Sequence, residues 1–295
     1  MNTFGRKFRV SIFGESHGEQ IGIVLDGVPA GLELTEDDFI KDIARRKSGA
    51  KGTTPRIEAD QPHIVSGLYE GHTTGAPLTI IFANTDTRSK DYSVFADMPR
   101  PGHADLVAAM KWDECNDPRG GGHFSGRMTL PVVAAGVVAK MILSESTILD
   151  EIPMGQEPVH ARIVELGGIP NDAEEGICMD CQTVLEQAMK EGDSLGAVVE
   201  CVVPDVGIGY GEPFWDSVES VISHAVFSIP GVRGIEFGDG FDAARMTGSE
   251  HNDPIGIDGI PVKNGAGRNH GAKHKAGLVT HAACRVLVGG DAELT

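Results

Sequence analysis

Aromatic side chains are scarce in this chain. They make up 5% of its 295 residues, so any core must be built from aliphatic groups. Basic residues are outnumbered, 25 Lys and Arg against 43 Asp and Glu, which leaves a formal charge of −18. Such a field repels nucleic acid and anionic membrane surfaces, and neither is expected as a partner. Long apolar runs are missing too. The most apolar stretch, Leu130 to Leu143, is interrupted by Lys140 and falls short of the about 20 residues that a bilayer crossing needs. No apolar signal core follows the basic residues at the start of the chain. Cysteine occurs at five scattered positions, Cys115, Cys178, Cys181, Cys201 and Cys284. That odd number fits a reduced, cytoplasmic setting rather than a disulfide scaffold. Cys178 and Cys181 have the spacing of a metal or redox pair, yet no second pair completes a zinc site.

Glycine, by contrast, is abundant. The 39 glycines are about 13 per cent of the chain, against about 7 per cent on average. Short β-rich runs, each bounded by turn residues, are expected at Phe8–Phe13, Ile21–Leu25, His63–Leu68, Leu78–Phe82, Ile163–Leu166, Val198–Val203 and Gly234–Phe237. Helical spacing recurs in Trp215–Phe227 and Cys181–Glu191, the latter stopped by Gly192. Leu130–Leu143 is apolar nearly all round, as a helix buried on several sides would be. A further helix is expected from Glu36 to about Lys47, with Thr35 and Asp38 as a capping box. Strands and helices do not alternate regularly, which favours a layered α+β fold over a barrel or a doubly wound sheet. Residues 264–295 stand apart: they hold four basic and two acidic residues and no clear periodicity.

Against an acidic background, clusters of cations and glycines mark where a small anion could bind. Gly14-Glu15-Ser16-His17-Gly18 puts a histidine directly after a strand, where it can exchange a proton near neutral pH or simply brace a tight turn. Arg45, Arg46, Lys47, Lys51 and Arg56 form a basic cluster. The first three also suit a helix C-terminus, whereas Lys51 and Arg56 lie beyond it. The stiff turn Arg100-Pro101-Gly102-His103-Ala104-Asp105 sets a cation beside a histidine. In Arg119-Gly120-Gly121-Gly122-His123-Phe124-Ser125-Gly126-Arg127 a glycine loop leads into a helix, whose first N–H groups can face an anion.

Taken in order, FRVSIFGESHG (8–18), RRKSGAKGTTPRIEAD (45–60), NTDTRSKDYS (84–93), RPGHAD (100–105), RGGGHFSGRMT (119–129), EGDSLGA (191–197), GYGEPFWD (209–216) and GIEFGDGFDAARMTGSEHND (234–253) resemble chorismate synthase. The resemblance implies a β-α-β sandwich, a homotetramer and the last step of the shikimate pathway. In that step 5-enolpyruvylshikimate 3-phosphate loses phosphate and a ring hydrogen by anti-1,4-elimination. It implies reduced FMN as cofactor, and NADPH where a member carries its own flavin reductase. By resemblance, His17 protonates reduced flavin and His103 assists the departing phosphate. Arg45, Lys51, Arg100 and Arg127 are expected to hold the substrate. Arg46, Lys51, His123, Phe124, Ser125, Pro230 and Gly231 are expected to contact flavin. His123 and Met128 stand where many members have Arg and Glu.

The resemblance runs to about Asp258, so the expected division is a family domain over 1–263 and a family-unlike tail over 264–295. The glycine-rich stretch, the Lys-Pro flavin segment and the later Arg and Asp of the family do not follow in order here. The family's proposed general base, an aspartate, has no counterpart in this sequence. The tail therefore reads as out of frame or degenerate. The alternative to an active enzyme is a non-catalytic flavin- or anion-binding remnant.

Overall fold

In a computed structural model of the chain, the described residues are 2–48, 58–87, 94–95, 98–145, 159–203, 211–257, 263, 265 and 282–287. Their contacts divide them into two compact units, one up to Ile142 and one from Leu143.

The first unit is built on an antiparallel sheet. Its strands are β1 (Thr3–Phe4), β2 (Arg9–Gly14), β3 (Gln20–Asp26), β4 (His63–Ser66) and, after a small hairpin of β5 (Leu68–Tyr69) and β6 (His72–Thr73), β7 (Leu78–Ala83), in the order β1-β2-β3-β7-β4. Apolar residues alternate along β3 and β7, and the register pairs Ile21 with Phe82, Ile23 with Ile80 and Leu25 with Leu78. All six are fully buried. A period of two puts them on one face, where cross-strand neighbours pack directly.

Helices cover that face. The expected helix after Thr35 forms as a 3₁₀ turn, Glu36–Phe39, running into α1 (Ile40–Arg46), with the Thr35–Asp38 capping box in place. Helix α2 (Asp105–Lys111) was not evident from sequence; it leaves Leu106, Val107 and Met110 exposed. Helix α3 (Thr129–Glu145) carries Leu130, Ala134 and Val138 into the core at four-residue intervals. The run Arg119–Glu145 is apolar enough overall to pass for a membrane span. Its helical part is 17 residues, however, and that part is a core helix by burial. Lys140 of α3 reaches Asp42 of α1 at 2.7 Å, a partly buried pair that ties the two helices together.

The second unit has its own antiparallel sheet: β8 (His160–Leu166), β9 (Ile169–Pro170), β10 (Gly196–Val202), β11 (Val232–Phe237) and β12 (Ala282–Leu287), in the order β11-β12-β10-β8-β9. Strand β12, from the segment without periodicity, lies between β10 and β11, with Val199 opposite Cys284 and Ile235 opposite the same residue. Helix α4 (Met179–Glu191) follows β9, α5 (Val218–Val226) precedes β11, and the short α6 (Gly248–His251) closes the described run with a Thr247–Glu250 capping box. Both helices expected here form, each two to three residues off the expected start. The mixture of antiparallel sheets and helices is the α+β class expected from sequence.

Candidate active site

Residues 14–18, 84–86, 119–127 and the Arg46–Asp60 pair meet in the first unit. The loop after β2 buries Ser16 and His17, and the Ser16 N–H donates to Gly122 O at 3.0 Å. The glycine loop therefore lies directly over the histidine. Gly120 and Gly122 have φ of 58° and 56°, a left-handed conformation that side chains rarely tolerate. At Gly120 an added Cβ would stand 2.5 Å from the His17 ring, and at Gly122 it would stand 2.1 Å from Asp117 O. These two positions need glycine for conformation and for space.

His123 donates from Nδ1 to Gly14 O at 2.8 Å, which joins the same two loops again. A carbonyl only accepts, so the proton sits on Nδ1 and the other ring nitrogen of a neutral His123 is an acceptor. Phe124 is 42% exposed, and its ring lies 5.2 Å from that of Trp112. Ser125 caps the 3₁₀ turn that precedes α3, its Oγ accepting from Arg127 N at 3.3 Å.

Arg127 is turned inward. Its Nε donates to Asn84 Oδ1 at 3.0 Å, one terminal nitrogen pairs with Asp60, and the other reaches Ala83 O at 3.4 Å. The side chain is 4% exposed. Arg46 faces the same carboxylate at 3.5 Å and also donates to Thr129 Oγ1 and Gly126 O. One buried carboxylate lies between two guanidiniums, and removing it would strand Arg127 without a counter-charge. Asn84 completes the frame: its Nδ2 donates to Glu15 O and Gly18 O, so Arg127 is coupled through one amide to the His17 loop. Glu58 in turn fixes the segment after Asn84, accepting from Thr85 N, Thr85 Oγ1 and Asp86 N.

Arg100 is clamped by its own motif. Its backbone N–H, Nε and a terminal nitrogen all donate to Asp105, and its guanidinium lies 4.8 Å over the Phe95 ring. Burial raises the Asp105 carboxyl, but the hydrogen bonds and charge of Arg100 outweigh it and hold the group below its usual value. Three donors on one carboxylate favour its ionised form. His103 donates from Nδ1 to Pro101 O at 3.2 Å. At the mouth of the glycine loop, hydrogen bonds from Arg119 lower the Asp117 carboxyl, against the effect of burial.

The remaining expectations fall elsewhere. Arg45 is exposed in the last turn of α1. Lys51 and Arg56 lie outside the described residues. Pro230 and Gly231 precede β11 in the second unit and are exposed there. Asp60, Asn84 and Glu58 carry much of the frame and had no role assigned from sequence. All three do lie within recognised motif segments, 45–60 and 84–93, which was the signal that could have flagged them.

The family model described as chorismate synthase matches residues 8–282. The chain belongs to the chorismate synthase family. The chorismate synthase of Chitinophaga pinensis is 56% identical over 255 residues, covering 86% of this chain and 71% of the relative. That of Korarchaeum cryptofilum is 43% identical over 278 residues, covering 87% and 74%. That of Ralstonia pickettii is 41% identical over 273 residues, covering 90% and 74%. A crystal structure of chorismate synthase superposes with a TM-score of 0.71 at 25% identity, over 98% of this chain and 89% of the other. Chorismate synthases are lyases of aromatic amino acid biosynthesis that bind a small molecule, and these findings do not favour the non-catalytic remnant.

Proposed function

We propose that this chain converts 5-enolpyruvylshikimate 3-phosphate to chorismate and phosphate with reduced FMN. The observation that carries the reading is the meeting of four motif segments around buried His17: residues 14–18, 84–86, 119–127 and the Arg46–Asp60 pair. The donor set suits a flavin. Phe124 offers an exposed apolar face, His123 and Ser125 offer polar groups beside it, and Arg46 supplies charge near the same turn. Reduced FMN, when bound, supplies an electron that is lent as phosphate leaves and recovered as the ring hydrogen departs.

The protein's own contribution is positioning and charge. The substrate bears a phosphate and two carboxylates, and Arg45, Lys51, Arg100 and Arg127 are the cations assigned to it. Arg100 is held rigid by Asp105 and Phe95, so little side-chain freedom is lost when an anion docks near it. Arg127 is sealed from solvent and acts by fixing Asp60, Asn84 and the Ala83 carbonyl in one frame beside Arg46. Fixed charge in a dry site stabilises developing negative charge more strongly than the same charge in water. His103, with Nδ1 committed to Pro101 O, exchanges its proton at Nε2 with the leaving phosphate. His17, pressed under Gly120, would be the residue that holds a proton beside a bound flavin.

Residues 1–263 contain every motif named and are taken as the part that carries the chemistry. Family membership supports a homotetramer in the cytoplasm as part of this reading, with NADPH required only if the chain reduces its own flavin. Sedimentation velocity tests the assembly. The decisive experiment is an anaerobic assay of the purified chain with photoreduced FMN, following chorismate absorbance and phosphate release together. Stoichiometric appearance of both is expected. Binding of FMN without turnover would overturn the proposal.

A further inference from the structure

The second unit contains a pair of thiols that the elimination reaction does not use. Cys178 is the N-cap of α4, and its Sγ accepts from the Cys181 backbone N–H at 3.4 Å. Cys181, three residues on, is fully buried, its thiol directed to Ile169 O at 3.6 Å and Pro170 O at 3.8 Å. Cys178 Sγ also lies 3.8 Å from Pro170 O, so one carbonyl of β9 is flanked by both sulfurs. Asn171 pins the turn: it accepts from Cys178 N at 2.8 Å and donates to Ile163 O and Gly176 O.

The geometry points to a redox-active dithiol, in which half-exposed Cys178 is the attacking thiol and buried Cys181 the resolving one, closing a reversible disulfide across the first turn of α4. Residues three apart on a helical turn have Cβ atoms about 5–6 Å apart and a disulfide holds them about 3.5–4.5 Å apart, so the bond closes through a backbone shift of about 1–2 Å at Cys178, which as the N-cap has extended rather than helical backbone. The oxidant is a low-molecular-weight disulfide. The Cys178 thiolate attacks one of its sulfurs and expels one thiolate. Cys181 sulfur then attacks Cys178 sulfur and expels the second. Two thiols lose two protons and two electrons, and one external disulfide becomes two thiols. The electrostatics agree with this order. Hydrogen bonds from the Cys181 backbone N–H and thiol lower Cys178, whereas burial pushes Cys181 up to about 11. A thiolate at a helix N-terminus is the reactive form. A structural zinc site is not supported, because no cluster of three or more metal-ligating side chains occurs among the described residues.

This inference is independent of the chemistry proposed for the first unit, and its test does not use turnover. Cleavage after Arg162 and Lys190 gives the peptide Ile163–Lys190, which contains both cysteines and no others. The full chain is equilibrated over a series of reduced to oxidised glutathione ratios, quenched in acid, alkylated, digested and weighed. At the oxidising end the peptide is expected to lose both alkylation sites and to be about two mass units lighter than the dithiol. The control peptide Trp112–Arg119, which carries exposed Cys115, can form only a glutathione adduct. Cys181→Ala is expected to trap one glutathionyl group on Cys178. Cys178→Ser keeps an oxygen at the helix cap and should leave Cys181 as an unmodified thiol. The proposal is overturned if the wild-type peptide stays doubly alkylated at the oxidising end. It is equally overturned if Cys178 in the Cys181→Ala variant gains no more adduct than Cys115.

Discussion

Gly120 shows how one residue links backbone conformation to chemistry. Its φ of 58° is costly for any L side chain, and an added Cβ would meet the His17 ring at 2.5 Å and Ser16 Oγ at 2.9 Å. Both neighbours are buried, so neither can swing away into solvent. Gly120→Ala therefore moves either the loop or the imidazole. The left-handed conformation alone costs about 1–2 kcal/mol. A displacement of about 1 Å at a reacting group can cost about a hundredfold in rate. The expected outcome is a loss of turnover of that order with a small fall in the urea midpoint, measured on the same preparation. Unchanged turnover would remove His17 from the reaction.

Elements differ in how far they could be read in advance. The β3–β7 pair was legible because its core is local alternation: Ile21, Ile23 and Leu25 repeat with a period of two, and Leu78, Ile80 and Phe82 answer them. The start of the Glu36–Arg46 segment was legible because a capping box is written in four consecutive residues. Helix α2 was not, since its apolar residues face out rather than repeating inward, and a seven-residue helix gives little pattern to find. Nor was β12, whose place between β10 and β11 is set by partners 45 or more residues away and not by its own sequence. The same distinction divides the site. His17, His103 and His123 sit in short motifs, whereas Asp60 and Asn84 gain their roles from Arg127, 67 and 43 residues distant.

The turn that leads into α2 makes an element-scale prediction. Asp105 ties the backbone and guanidinium of Arg100 to the first residue of that helix, and its carboxyl is held below its ordinary value of 3.8. The folded chain then releases the proton more readily than the unfolded one. The stabilisation is present above pH 3.8 and is lost as pH falls through the lowered folded value. Hydrogen bonds to a charged group contribute about 1.5–3 kcal/mol. Asp105→Asn is expected to lower the stability near neutral pH by that order and to flatten its acid limb. Urea unfolding followed from about pH 6 to about pH 3 checks this, because the linkage confines the difference to the upper part of that range. Parallel curves with no convergence at the acid end would mean that the pair does not titrate with folding.

At the scale of the whole molecule, charge works against the proposed substrate. The chain carries −18, yet the site is assembled from Arg46, Arg100 and Arg127, two of them sharing Asp60. A ligand with two carboxylates and a phosphate, about four negative charges in all, is repelled at long range and attracted only near those guanidiniums. Screening removes the long-range part first. The Debye length falls from about 30 Å at 0.01 M salt to about 10 Å at 0.1 M and about 3 Å at 1 M. Raising ionic strength through the first interval should therefore speed encounter, while the second weakens the short-range hold. The expected profile of kcat/KM against salt rises and then falls, with its maximum at about 0.1 M, where the screening length has fallen to about 10 Å. Two salts of different anions separate screening from competition by a particular ion. A decline from the lowest salt onward would mean that the local cations outweigh the acidic surface at every distance. The site would then steer its substrate instead of merely holding it.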